Sequence, residues 1–75
     1  MDKDKIQNFE IDKLLESINF CYEYDFRNYK RASVERKILN RVKISGLSNI
    51  SDMIPKIIHD PVFFDIFHMI CKEIL

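Results

Sequence analysis

Seventy-five residues with 12 Lys plus Arg against 12 Asp plus Glu, 47% hydrophobic residues and a single glycine describe one small folded domain, or part of a longer protein. A charged fraction of 32%, mixed in sign, excludes disorder, and one glycine leaves little provision for tight hairpin turns, so an all-α chain is expected. No apolar run approaches the roughly 20 residues that cross a bilayer, and the first ten residues lack a signal peptide's apolar core; the expected protein is cytoplasmic, without membrane insertion.

Residues 1–7 alternate charges without apolar periodicity and read as a frayed end. Phe9, Ile11, Leu14, Leu15, Ile18 and Tyr22 then recur at three- and four-residue steps, which predicts a first amphipathic helix over about 9–22, with Asn8 as N-cap and Glu10 and Asp12 in its first turn. The following stretch, Glu23 to Tyr29, is aromatic and polar without a helical period. It reads as an ordered connector whose rings pack onto the core.

Ser33 is the expected N-cap of a second helix over about 34–45, with Val34, Ile38 and Val42 facing the core and Gly46 ending it in the left-handed conformation. A third helix over about 50–59 carries Ile50, Met53, Ile54, Ile57 and Ile58, capped by Ser48 or Asn49, with Asp52 completing a capping box in the second case. Pro55 inside it requires a later start or a kink.

Asp60-Pro61 signals a new start, and a fourth helix over about 61–74 follows. Its apolar residues, from Val62, Phe63, Phe64, Ile66 and Phe67 through Met69, Ile70 and Cys71 to Ile74 and Leu75, leave only a narrow polar stripe, wider cover than a surface helix needs. A dimer partner or further chain should cover its second side, and the apolar end Ile74-Leu75 suggests a domain cut from the front of a longer protein. The whole is expected to be a single four-helix N-terminal domain over 1–75.

The neutral balance hides a segregation. Residues 1–25 hold three basic against seven acidic side chains, residues 27–43 seven against one and residues 44–75 two against four, giving −4, +6 and −2. At about 100° per residue, Arg36, Lys37 and Lys43 fall opposite the Val34-Ile38-Val42 line, with Arg41 on its shoulder. Exposed faces are commonly charged, but they usually interleave signs; like charges at Lys37 and Arg41 repel, and a face that keeps them is suited to an anionic partner.

Catalytic groups are scarce. His59 and His68 have no Asp, Glu or Cys at ligand or triad spacing, no glycine-rich phosphate loop is present, and Cys21 and Cys71, 50 positions apart, are expected as reduced, buried small residues rather than a disulfide. Taken alone, this stretch is expected to be non-catalytic and to hold no metal or cofactor. Two other classes compete: a helical interaction or dimerisation module using the fourth helix, and a helix-turn-helix DNA binder, whose recognition helix would be the third and carries Asp52, Pro55 and a lone Lys56.

Tyr24 to Phe64 resembles the N-terminal helical domain of the chemotaxis receptor methyltransferases, the CheR family. The resemblance rests on a Tyr-Asp-Phe connector, a Tyr-Lys-Arg-x-Ser helix start, the pairs Lys37-Ile38 and Arg41-Val42, Gly46-Leu47 before the third helix, and the Asp-Pro-x-Phe-Phe start of the fourth. It implies a parent enzyme that transfers a methyl group from S-adenosylmethionine to receptor glutamates through a separate α/β catalytic domain. It further implies that Lys30, Arg36, Lys37, Arg41 and Lys43 face the acidic helical cytoplasmic region of a chemoreceptor, and that the parent's catalytic domain covers the apolar fourth helix. Charge reversal at Lys37 and Arg41 is then expected to slow receptor methylation and leave cofactor binding intact. Asn40 departs from the family pattern, where a basic residue is common.

Overall fold

In the computed structural model, residues 2–26 and 29–72 are described, the last three of them for their backbone only. Four helices follow in order, α1 (Lys3–Tyr22), α2 (Arg31–Ile44), α3 (Met53–His59) and α4 (Pro61–Lys72), and no strand occurs among the described residues. The all-α expectation holds. Residues 73–75, the expected end of the fourth helix, lie outside the described residues, as do Arg27 and Asn28 of the connector.

α1 starts six residues earlier than its apolar period suggests. Asp2 is the N-cap, its carboxylate accepting from the Asp4 N–H at 3.1 Å, so residues 3–8 are helical, Asn8 is an interior residue and Asp4 is the first-turn acid. Glu10 and Asp12 are used between elements instead. Glu10 Oε2 accepts from the N–H and hydroxyl of Ser51 at 3.0 and 2.5 Å, and Asp12 pairs with Arg31 at 2.9 Å.

α2 also begins early, with Lys30 at the cap and no side-chain cap bond; Ser33 lies inside the first turn. Arg31 replaces the missing cap as the anchor by reaching back to Asp12 and to the Asn8 carbonyl of α1. The C-terminus matches the expectation. Gly46, at φ 70°, donates to the Lys43 carbonyl at 3.2 Å, and Leu47 donates to Val42 at 3.0 Å, a Schellman closure that places the one glycine where a side chain would be strained.

Residues 50–52 form a 3₁₀ turn, and α3 proper begins only at Met53. Asn49 and Asp52 make the reciprocal capping box. The later start resolves Pro55, which falls in the first turn of α3, where backbone N–H groups have no helical acceptor to lose. α3 is short because Asp60 turns extended and caps α4, accepting at Oδ1 from Val62 and Phe63 at 3.1 and 3.3 Å.

The core is a single cluster: Ile11, Leu14 and Ile18 of α1, Val34, Ile38 and Val42 of α2, Ile50, Met53 and Ile57 around α3, and Phe63, Phe64 and Phe67 of α4, closed by Phe26 from the connector. α3 packs against both α1 and α4, and α2 packs against α4. Tyr22 joins α1 to the α3–α4 corner, its ring stacked on Phe64 at 3.9 Å and its hydroxyl donating to the Ile57 carbonyl at 2.6 Å. The helical donor for that carbonyl would be residue 61, which is proline and has no N–H.

The connector is ordered through its rings, as expected. Phe26 packs on Phe67 and Tyr29, Tyr24 sits edge-on to His68, and the Tyr24 and Tyr29 hydroxyls hydrogen-bond to each other. Two residues of α1 expected inside are not buried. Phe9 is 61% exposed and Cys21 is exposed; with Phe20, Ile54 and Ile58 they line an open apolar groove of about 570 Å³. At about 100° per residue both turn off the buried Ile11-Leu14-Ile18 line, Cys21 to its edge and Phe9 almost to its opposite side. The side chain of Cys71 lies outside the described residues.

Candidate functional site

α2 turns Val34, Ile38 and Val42 inward, which fixes where its basic residues go. Arg36 and Lys43 are exposed on the outer side with Asn40 and Ile44, and Lys30 stands exposed at the N-terminal end. Lys37 and Arg41 are only half exposed. The Arg41 guanidinium lies over the Phe63 ring of α4 at 4.6 Å, and its Nε is shielded from solvent without a hydrogen-bond acceptor. The expected face is therefore of two kinds: freely solvated charges at Lys30, Arg36 and Lys43, and a rim at Lys37 and Arg41 that leans into the fold.

Arg31, part of the same basic run, is taken up by Asp12. Two backbone features act on the rest. α2 has no acid in its first turn and no side-chain N-cap, so the positive end of its dipole is uncompensated beside Lys30, whereas Arg41 and Lys43 sit favourably at the negative end. Among the described residues Lys30, Lys37, Arg41 and Lys43 have no carboxylate partner, in contrast to Arg31 and Lys13.

One cation escapes a reading confined to α2. Lys56 of α3 places its ammonium 5.9 Å from the centroid of the same Phe63 ring. No spacing links residues 41 and 56; the relation exists only because α4 presents Phe63 between α2 and α3.

The opposite side of α4 carries a second surface. Phe63, Phe64 and Phe67 are buried, while Val62, Ile66 and Met69 at four- and three-residue steps are 64%, 43% and 59% exposed. The helix thus has the two apolar sides its composition implied, one of them bare.

Among the described residues no group of His, Cys, Asp and Glu is placed to hold a metal ion, and no helix is long and apolar enough to cross a membrane. His59 is exposed; His68 is a ring-packing residue, stacked on Phe64 at 5.4 Å with its Nε2 shielded. The Tyr22 phenol is raised above its ordinary pKa, first by desolvation and then by the negative charges of Cys21, Asp65 and Asp60.

The model of the CheR methyltransferase all-alpha domain matches residues 10–68. A protein of Pseudomonas putida named "Putative methyltransferase Cher3" is 36% identical over 64 residues, 85% of this chain and 23% of its own length. The chain thus spans about a quarter of that relative. No solved structure matches.

Proposed function

The chain belongs to the CheR methyltransferase family through its all-alpha domain, and on that premise we propose that it is the substrate-recognition domain of a chemotaxis protein methyltransferase, docking an acidic receptor helix on the basic face of α2. The parent enzyme transfers a methyl group from S-adenosylmethionine to receptor glutamates in the cytoplasm. The observation that carries the reading is the set of cations at Lys30, Arg36, Lys37, Arg41 and Lys43, none neutralised by a carboxylate among the described residues. A helix bearing unmethylated glutamates is anionic; a cationic face opposite it speeds encounter and sets orientation.

The described residues do not fit S-adenosylmethionine itself. The single glycine closes α2 instead of opening a ligand loop, and no strand-to-helix crevice is formed. Cofactor and methyl transfer are assigned to a separate catalytic domain of the parent, and the exposed Val62-Ile66-Met69 stripe of α4 is the surface proposed to pack against it.

Arg36→Glu with Lys43→Glu in the full-length parent tests the docking face, because both residues are exposed and reversing them leaves the core intact. Receptor methylation at low salt should fall about tenfold with cofactor affinity unchanged. Unchanged methylation at low salt removes α2 as the docking face. Reversal at Arg41 is a poorer probe, since its guanidinium also packs on Phe63.

A further inference from the structure

Arg41 of α2 and Lys56 of α3 lie 4.6 and 5.9 Å from one aromatic centroid, that of Phe63, which caps the separation of the two charges at 10.5 Å. At that range two like charges repel only weakly in water, and a single anion near the ring is attracted by both. Neither has a carboxylate partner among the described residues, although Asp52, Asp60 and Asp65 are present on the adjoining elements, and the Arg41 Nε is shielded with no acceptor. Asp52 is committed to the Ser48 and Asn49 N–H groups, and Asp60 to those of Val62 and Phe63.

We infer that the Arg41–Phe63–Lys56 cluster is a carboxylate seat, and that Lys56 is a specificity-determining contact for the acidic helix proposed to dock on α2. The inference rests on that docking reading and deepens it: the partner crosses from α2 over the start of α4 onto α3 rather than running along α2 alone. Each component has a distinct part. Phe63 is almost fully buried and braces the Arg41 guanidinium by its ring face, Arg41 supplies a planar donor pair, and Lys56 supplies a mobile point charge from α3. A glutamate reaching this seat is bound by two helices at once, which specifies register along the partner where a stripe of charge on one helix does not.

The test uses the isotopically labelled 75-residue chain at low salt, titrated with a 20-residue alanine-rich helical peptide carrying glutamates four apart, and with its glutamine counterpart. The acidic peptide should shift the amide signals of Arg36, Lys43 and Lys56 and the Phe63 ring signals together, and the glutamine peptide none of them. Lys56→Gln should weaken binding about threefold with the Arg36 and Lys43 shifts retained, and Lys56→Arg should restore it. Shifts at Arg36 and Lys43 with undiminished affinity in Lys56→Gln overturn the seat and leave docking on α2 standing. A peptide that moves no α2 signal overturns the docking reading and the seat with it.

Discussion

Replacing Tyr22 by phenylalanine isolates one hydrogen bond at the junction of three helices. The ring stack on Phe64 is kept, since the geometry of 3.9 Å and 4° needs no hydroxyl. What is lost is the bond to the Ile57 carbonyl at 2.6 Å. That carbonyl has no substitute donor, because the residue four positions on is Pro61. The net worth of such a bond is about 1 kcal/mol, and leaving a part-buried acceptor unmatched brings the expected loss to about 1.5 kcal/mol. In a domain whose total stability is on the order of 4–11 kcal/mol, that is a large fraction, worth roughly 4–8 °C in Tm per kcal/mol. The phenol adds a pH signature. Its folded pKa is raised, so the neutral form is favoured in the native state; the contribution is complete below the ordinary value of 10.0 and is lost as pH rises through the higher folded value. Urea unfolding of wild type and Tyr22→Phe from pH 7 to alkaline pH should therefore show a gap that narrows above pH 10. A variant as stable as wild type at pH 7 would refute the role of Tyr22 as the surrogate donor for α3.

Left-handed geometry gives a paired prediction: Gly46→Ala should cost about 1 kcal/mol from strain at φ 70° alone, because nothing lies within 4 Å of the added methyl, whereas Glu23→Gly at φ 56° should stabilise by about 0.5 kcal/mol, both read by thermal unfolding. On α4, Ile66→Ser should leave the unfolding free energy of the isolated chain within about 0.5 kcal/mol of wild type, because the side chain is substantially solvated, yet lower the stability of the full-length parent if a catalytic domain packs there; equal effects in both would contradict that packing.

Helix stops and starts were legible wherever one residue's own backbone chemistry decides them. Gly46 ends α2 because the Schellman closure needs a positive φ, and Asp60-Pro61 opens α4 because the cap and the missing N–H act locally. The N-termini of α1 and α2 were less legible. Asp2 and Asn8 are chemically similar caps, and Asp2 prevails although the apolar stripe begins only at Phe9. α2 starts ahead of Ser33 because a tertiary contact, Arg31 to Asp12, holds its first turn. Phe9 was placed on the core stripe and Cys21 was expected as a buried small residue, yet both turn off the Ile11-Leu14-Ile18 line; spacing states which residues share a face and not what another helix lays beside it. The same distinction runs through the candidate site: helical spacing found the cations on α2, while Lys56 joins them only through the position of Phe63.

The central claim is electrostatic recognition of an acidic helix by α2, and reciprocal charge reversal tests it most directly. Binding of the Arg36→Glu, Lys43→Glu chain should be about tenfold weaker than wild type for the glutamate-bearing helical peptide and stronger than wild type for its lysine-bearing counterpart, with both differences fading as salt rises past physiological strength. Equal affinity of wild-type and reversed chains for the two peptides would contradict the account.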